Sequence, residues 1–190
     1  MSSSNPSKTL TAIWMIAVLS GCVTAPPKKP AVPPAIPAVQ SNYWQGDGVK
    51  GPARIVISLG EQRAYFYRGK KLVGETVVST GRSGFETPAG SYRVIEKDRD
   101  HVSSLYGAFV DDEGNVVESN VNSSKDTPPP GTTFRGAKMP HFLRFHAGYG
   151  LHGGRVPSHR ASHGCVRLPR NMATHFYENA TTGTPVILRE

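Results

Sequence analysis

Thiols are scarce in this sequence: among 190 residues only Cys22 and Cys165 are cysteines. That count excludes a disulfide framework, and a single Cys22–Cys165 bridge would tie a proline-rich N-terminal segment to a glycine-rich one. Long apolar runs are missing as well. The candidate, Leu10 to Leu19, is about ten residues, too short to span a bilayer as a permanent helix. Acidic side chains are outnumbered, 14 against 22 basic ones, for a formal charge of +8. A basic surface favours polyanionic partners: nucleic acid, anionic lipid or an acidic polymer. Apart from the Lys28-Lys29 and Lys70-Lys71 pairs the cations are scattered, so no dense patch tracks a phosphate backbone and nucleic acid is not an expected partner.

The N-terminus reads as an address. Met1 to Thr9 is polar with Lys8 as its positive charge, Leu10 to Leu19 is apolar, and Leu19-Ser20-Gly21-Cys22 follows. This is the layout of a secretory signal. Its ending resembles a bacterial lipobox, which implies cleavage after residue 21, lipidation of Cys22 and membrane attachment through the lipidated N-terminus. An ordinary signal with an incidental cysteine is the alternative. Removing residues 1–21 deletes only Lys8, taking the charge from +8 to +7, and lipidation leaves Cys165 as the sole free thiol. An odd cysteine in an exported protein is a candidate reactive group. Val23 stands where an aspartate is associated with inner-membrane retention, so the expected location is the outer membrane, facing the periplasm.

Residues 23–41 hold six prolines and no amphipathic period. Such composition favours extended polyproline II, about 3 Å per residue, and reads as a tether. With residues 42–52, a polar and glycine-rich transition in which Tyr43 and Trp44 could pack on a domain edge, it completes a linker over 22–52. The folded domain is expected over 53–190.

From Arg54 short β-branched and aromatic runs alternate with glycine turns: 54–59, 62–67 and 71–79, an antiparallel meander. Thr87-Pro88-Ala89-Gly90 is a tight turn into another strand. Residues 98–130 read as a solvated charged stretch, and 120–131, with three consecutive prolines, as a long surface loop edging a site. Asp98, Asp100 and His101 lack the glycine-centred loop of a calcium site. Strands return at 142–145 and 151–152. Pro169 opens a helix to Asn179, with Met172, His175 and Phe176 on one face, and 184–188 is a terminal strand.

The chemistry concentrates in Leu151-His152-Gly153-Gly154 and Ser162-His163-Gly164-Cys165-Val166-Arg167-Leu168. A cysteine attacks carbonyl carbon as thiolate, and an adjacent imidazole can take its proton and return it to a leaving group. Glycines 153, 154 and 164 let backbone approach a reacting carbonyl, and the N–H groups of His163, Gly164 and Cys165 could form an oxyanion hole. A buried structural cysteine among glycine turns is the bland alternative. A zinc site drawing on His141, His146, His152, His159, His163, His175 and Cys165 is a weaker one, since zinc would quench the thiolate. Neither metal nor cofactor is expected.

The string His-Gly, spacer, Ser-His-Gly-Cys-Val-Arg-Leu resembles the L,D-transpeptidase catalytic domain, the YkuD family of bacterial cell-wall enzymes. The opening strands with Gln62, the Thr-Pro-Ala-Gly turn and the final helix and strand extend the resemblance over about 54–189. It implies a mainly β fold, an L,D-transpeptidase-like β-sandwich with one C-terminal helix beside the catalytic segment. It implies Cys165 as nucleophile and His152 as base, with the Gly153 carbonyl orienting the imidazole. His163, two positions from the sulfur, competes as base, although such near neighbours often point apart. Arg167 and Ser162 are candidate substrate contacts; for Arg167 a structural ion pair near the helix start is equally open. The resemblance further implies peptidoglycan stem peptides as partners, release of D-alanine from a tetrapeptide, and formation of a 3-3 cross-link or anchoring of a protein. A carboxypeptidase using water, a secreted cysteine peptidase and a non-catalytic peptidoglycan-binding lipoprotein are the alternatives. The expected state is a monomer.

Overall fold

In the computed structural model the described residues are 42–190. The expected signal at 1–21, the expected lipidation at Cys22 and the expected tether up to residue 41 lie outside the described residues. Among those described, no helix is long and apolar enough to cross a membrane.

The meander forms as its glycine punctuation requires. Strands β2 (Ala53–Ser58), β3 (Arg63–Arg68) and β4 (Lys71–Val77) pair antiparallel in sequence order. Gly69, at φ 58°, makes the tight return between β3 and β4 that a side chain would strain. Strand β1 (Tyr43–Trp44) closes the edge of β4, so the two aromatics do pack on the rim of the domain. Trp44 stacks on His175 at 4.9 Å and meets Phe66 edge-on at 5.3 Å. On the other side the C-terminal strand β13 (Pro185–Arg189) runs parallel to β2, and β5 (Gly90–Arg93) completes a six-stranded sheet.

A second sheet has the order β12-β11-β10-β6. Here β6 is Glu96–Asp98, β10 Phe142–His146, β11 Tyr149–Gly153 and β12 Val166–Leu168. Leu143, Phe145, Leu151, Val166 and Leu168 from this sheet join Ile55, Ile57, Phe66 and Leu188 of the first in one buried cluster. The helix α1 (Arg170–Asn179) starts at Pro169 and buries Met172, Ala173 and Phe176 in the same cluster. Because side chains alternate along a strand, the residues between those core positions face away from the core.

The stretch expected to be a charged loop is ordered as strands. β7 (Val102–Val110), β8 (Val116–Asn122) and β9 (Thr133–Lys138) form a three-stranded antiparallel sheet in the order β8-β7-β9. Only Phe109, Val110, Val121 and the polar Ser103 are buried in it. Backbone pairing rather than core burial defines these strands, and the register slips at Gly107/Ala108 and Phe109/Val110 break their alternation. Gly107 faces Gly136 across β7 and β9, where an added Cβ on either would strike backbone of the opposite strand.

Candidate active site

The outer face of the four-stranded sheet carries the catalytic candidates in two adjacent rows. Asp98 on β6 pairs with Phe142 on β10, and His152 on β11 pairs with Arg167 on β12. The Phe142 and His152 rings lie 6.3 Å apart, closing the row Asp98, Phe142, His152, Arg167. In the second row Glu96 pairs with Arg144 and Arg144 with Gly150. One residue back from the Leu151–Val166 pair, the same parallel register sets Cys165 beside Gly150. Parallel partners point to one side, and residues two apart share a face, so Cys165, His152 and Arg167 converge although the first two are thirteen positions apart in the chain.

His152 is 6% exposed and its Nδ1 lies 3.1 Å from the Gly153 carbonyl. A carbonyl only accepts, so Nδ1 carries the proton and Nε2 keeps its lone pair. Burial pushes the imidazole pKa down from 6.5 to about 4, with Arg167 acting in the same direction and the Gly153 bond opposing. The partly buried thiol moves the other way. Burial raises it, while the Gly150 N–H, Arg144 and Arg167 pull it back. The resting pair is therefore neutral thiol and neutral imidazole. The thiol donates to the Gly148 carbonyl at 3.6 Å, and among the described residues no hydrogen bond joins it to His152.

The loop that delivers Cys165 is held from inside. Ser162, 1% exposed, donates to the Cys165 carbonyl at 2.5 Å and accepts from the Gly164 N–H at 3.0 Å. Thr87 Oγ1 donates to the Gly164 carbonyl at 2.6 Å and accepts from the Gly81 N–H at 2.9 Å. Gly164 sits at φ 116°, with the Tyr149 ring where a Cβ would be. Two expectations change here. The Ser162 hydroxyl is engaged within the loop, and the Gly164 N–H is already taken by it. Gly153 is likewise engaged: its N–H donates to the Pro140 carbonyl at 2.8 Å, leaving its carbonyl as the part that serves the site.

His163, the competing base, is occupied. Its Nε2 lies 2.8 Å from an Arg82 Nη, which only donates, and its ring stacks on Tyr106 at 4.1 Å with Phe85 edge-on at 4.9 Å. Burial lowers its pKa from 6.5 to about 4, with Arg82 and Arg167 adding to the effect. The other histidines do not gather round the sulfur. His175 stacks on Trp44, His141 bonds Thr174 Oγ1 at 3.3 Å, and His146 lies against Tyr149. Among the described residues the one group of clustered metal-type donors is Glu96, Asp98 and His101. Its members are taken up in pairs, Glu96 with Arg144 at 2.6 Å and Asp98 with His101 at 2.9 Å.

Cys165, His152, His163 and Arg167 open on one cavity of about 740 Å³, roofed on one side by the β7 and β9 strands. Five cations line it, Lys138, Arg144, Arg155, Arg167 and Arg170, and no carboxylate does. Arg167 has no ion-pair partner among the described residues. Its planar fork suits a carboxylate. Sequence reasoning missed His101, Lys138, Arg155 and Arg170 as lining residues. Their roles depend on strand register and the fold of 98–138, which no local motif announces.

A mainly β protein with a neutral thiol–imidazole pair in a basic cavity defines the class. The family model for the L,D-transpeptidase catalytic domain, YkuD, matches residues 52–188, and the chain belongs to that family. Comparison with curated proteins found no match. Solved structures are similar in fold. An L,D-transpeptidase from Mycobacterium smegmatis has a TM-score of 0.56 at 17% identity, covering 73% of this chain and 59% of the other. One from Mycobacterium tuberculosis H37Rv has 0.55 at 21% identity, covering 73% and 57%. One from Stackebrandtia nassauensis has 0.54 at 22%, covering 75% and 57%. The chain thus spans less than two thirds of the length of these proteins.

Proposed function

We propose that this protein is an exported peptidoglycan L,D-transpeptidase with Cys165 as nucleophile. His152 Nε2 takes the thiol proton as sulfur attacks the carbonyl joining the third residue of a tetrapeptide stem to its terminal D-alanine. With the Gly164 N–H engaged by Ser162, the N–H groups of His163 and Cys165 are left to stabilise the developing oxyanion. His152 then returns the proton to the D-alanine nitrogen, the C–N bond breaks and a thioester remains. An acceptor amine resolves it. A side-chain amine on a neighbouring stem gives a 3-3 cross-link, and a protein lysine gives an anchored protein.

The observation that carries this reading is the shared face of β11 and β12. It places an acceptor nitrogen on His152, the thiol of Cys165 and the free fork of Arg167 in one basic cavity. The basic lining suits a substrate rich in carboxylates, as stem peptides are. Around the domain, the proposal includes lipidation at Cys22, a proline-rich tether, a periplasm-facing outer-membrane location, a monomeric state, and no metal or cofactor.

The test is intact mass of the full chain incubated with a disaccharide tetrapeptide, beside Cys165→Ala. A thioester adduct and a dimer joining a tripeptide donor stem to a tetrapeptide acceptor stem, with free D-alanine, are expected with the native chain alone. Binding without adduct or product would overturn the enzyme reading in favour of a peptidoglycan-binding protein. A hydrolysed tripeptide as sole product would make it a carboxypeptidase.

A further inference from the structure

Aminolysis of a thioester by an amine that arrives protonated releases two protons. The ammonium R–NH3⁺ becomes an amide N–H, so one proton returns to the thiolate and one must leave. His152 can carry the first from nitrogen to sulfur. The second needs another base in the cavity, and the lining offers few: its lysine and arginines are cations, and His163 Nε2 already accepts from Arg82. Only His101 remains among the histidines of the lining.

His101 is built for the task. Its Nδ1 lies 2.9 Å from Asp98 Oδ2, a carboxylate that only accepts, so in the neutral ring the proton sits on Nδ1 and the lone pair on Nε2. Nε2 has no protein partner among the described residues. The ring is stacked flat on Phe142, at 4.2 Å and 13°, and Phe142 is the neighbour of His152 in the sheet row. Both imidazoles therefore neighbour one aromatic ring. Asp98 is itself held well below the usual carboxylate range, chiefly by the His101 bond, so it stays a counter-charge through the pH range of the reaction. The charged groups that face His101 are Asp98 and Glu96 from β6, Arg144 from β10, His152 from β11 and, across the cavity rim, Lys138 from β9.

We propose that His101, oriented by Asp98, takes the proton from the incoming acceptor ammonium at the cavity, making the amine that attacks the Cys165 thioester. The step balances: R–NH3⁺ and neutral His101 give R–NH2 and imidazolium. The amine attacks the thioester carbonyl, the C–S bond breaks, His152 passes the second amine proton to sulfur, and imidazolium releases its proton to solvent. The inference rests on the transpeptidase reading above and assigns the acceptor side of the cavity within it.

The experiment separates the two half-reactions in the full chain. Acyl-enzyme formed from a disaccharide tetrapeptide is followed by mass, then resolved with either a primary alkylammonium acceptor or hydroxylamine, which is already unprotonated at neutral pH. For His101→Asn, acylation and resolution by hydroxylamine should match the native chain, while resolution by the alkylammonium falls about a hundredfold at pH 7. That deficit should shrink as pH rises and free amine accumulates. Asp98→Asn should show the same selective loss, smaller in size, and serves if the first variant is poorly folded. Equal resolution of both acceptors by both variants would overturn the inference and leave the transpeptidase reading standing. So would a uniform loss across acylation and both acceptors, which is the signature of a merely structural pair. Failure of the native chain to form any acyl-enzyme would overturn both readings.

Discussion

The Phe142 ring lies over Gly150, so close that a methyl at position 150 would collide with the ring edge and stand 2.9 Å from the Leu143 carbonyl. The same glycine directs its N–H at the Cys165 sulfur, and the same phenylalanine is flanked by His101 and His152. One missing side chain thus lets Phe142 pack between the strand that carries His152 and the Cys165 sulfur's backbone partner. Gly150→Ala should displace Phe142 and with it the His152 ring. We expect a stability loss of about 1–3 kcal/mol, as for other overpacked positions. The rate of acyl-enzyme formation should fall about a hundredfold, because ångström misplacement of catalytic groups is costly. Urea unfolding and single-turnover mass measurements read the two effects separately.

The neutral resting pair predicts an acid-tolerant first half-reaction. With His152 pushed down to about 4, its Nε2 stays unprotonated well below the range of an ordinary imidazole. The acylation rate should hold from pH 7 to 5 and drop only as pH approaches 4. A midpoint near 6.5 in single-turnover acylation would contradict burial as the factor that holds the His152 imidazole neutral.

The same shifts make the fold sensitive to acid. Above pH 6.5 neither the folded nor the unfolded chain protonates these imidazoles, so they do not alter stability there. Between 6.5 and about 4 the unfolded chain binds protons at His152 and His163 that the folded chain refuses, and stability falls as pH falls. For buried His152 the loss across that window is about 3 kcal/mol; His163 adds in the same direction. Urea unfolding at pH 7 and pH 4.5 measures the slope, and His152→Gln should flatten it.

The cysteine loop depends on two hydroxyls. Ser162→Ala removes the link between the Gly164 N–H and the Cys165 carbonyl, and Thr87→Val removes the link between the Gly81 N–H and the Gly164 carbonyl. Each leaves two backbone groups unpaired at a site with little access to water, a cost of about 1–3 kcal/mol. Acylation should slow in both variants with the His152 pH profile unchanged. A shifted profile would instead make these hydroxyls part of the proton path.

Much of this was legible in the chain. Glycine-punctuated apolar runs gave β2, β3 and β4 their limits to within a residue or two, and Pro169 marked the helix start. The Ser162–Leu168 string led to the cavity. What stayed hidden follows from register and exposure. β8 is open to solvent from Val116 to Asn120, with Val116 and Val117 each 53% exposed, so it shows none of the alternation that announces a half-buried strand. His101 looked like one charge in a solvated run because its partner Phe142 is forty-one residues away and reaches it through the β6–β10 pairing and the backbone bonds that extend it.

Arg167 distinguishes a substrate contact from a structural ion pair. It has no carboxylate within ion-pair distance among the described residues, and it shares the cavity with Cys165 and His152. Arg167→Gln should therefore unfold within about 0.5 kcal/mol of the native chain, as a change that breaks no structural pair. Its effect should appear in KM for stem peptides with free carboxylates, raised about tenfold or more, and shrink for donors whose carboxylates are amidated. Arg167→Lys should recover the charge but only part of the affinity, since an ammonium lacks the two-pronged geometry. Arg167 also helps hold the Cys165 thiol down against burial. The Gln variant should then alkylate more slowly with iodoacetamide at neutral pH, whereas Lys should alkylate at nearly the native rate. Equal alkylation of all three with a large stability loss in Gln would mark Arg167 as structural and remove it from the site.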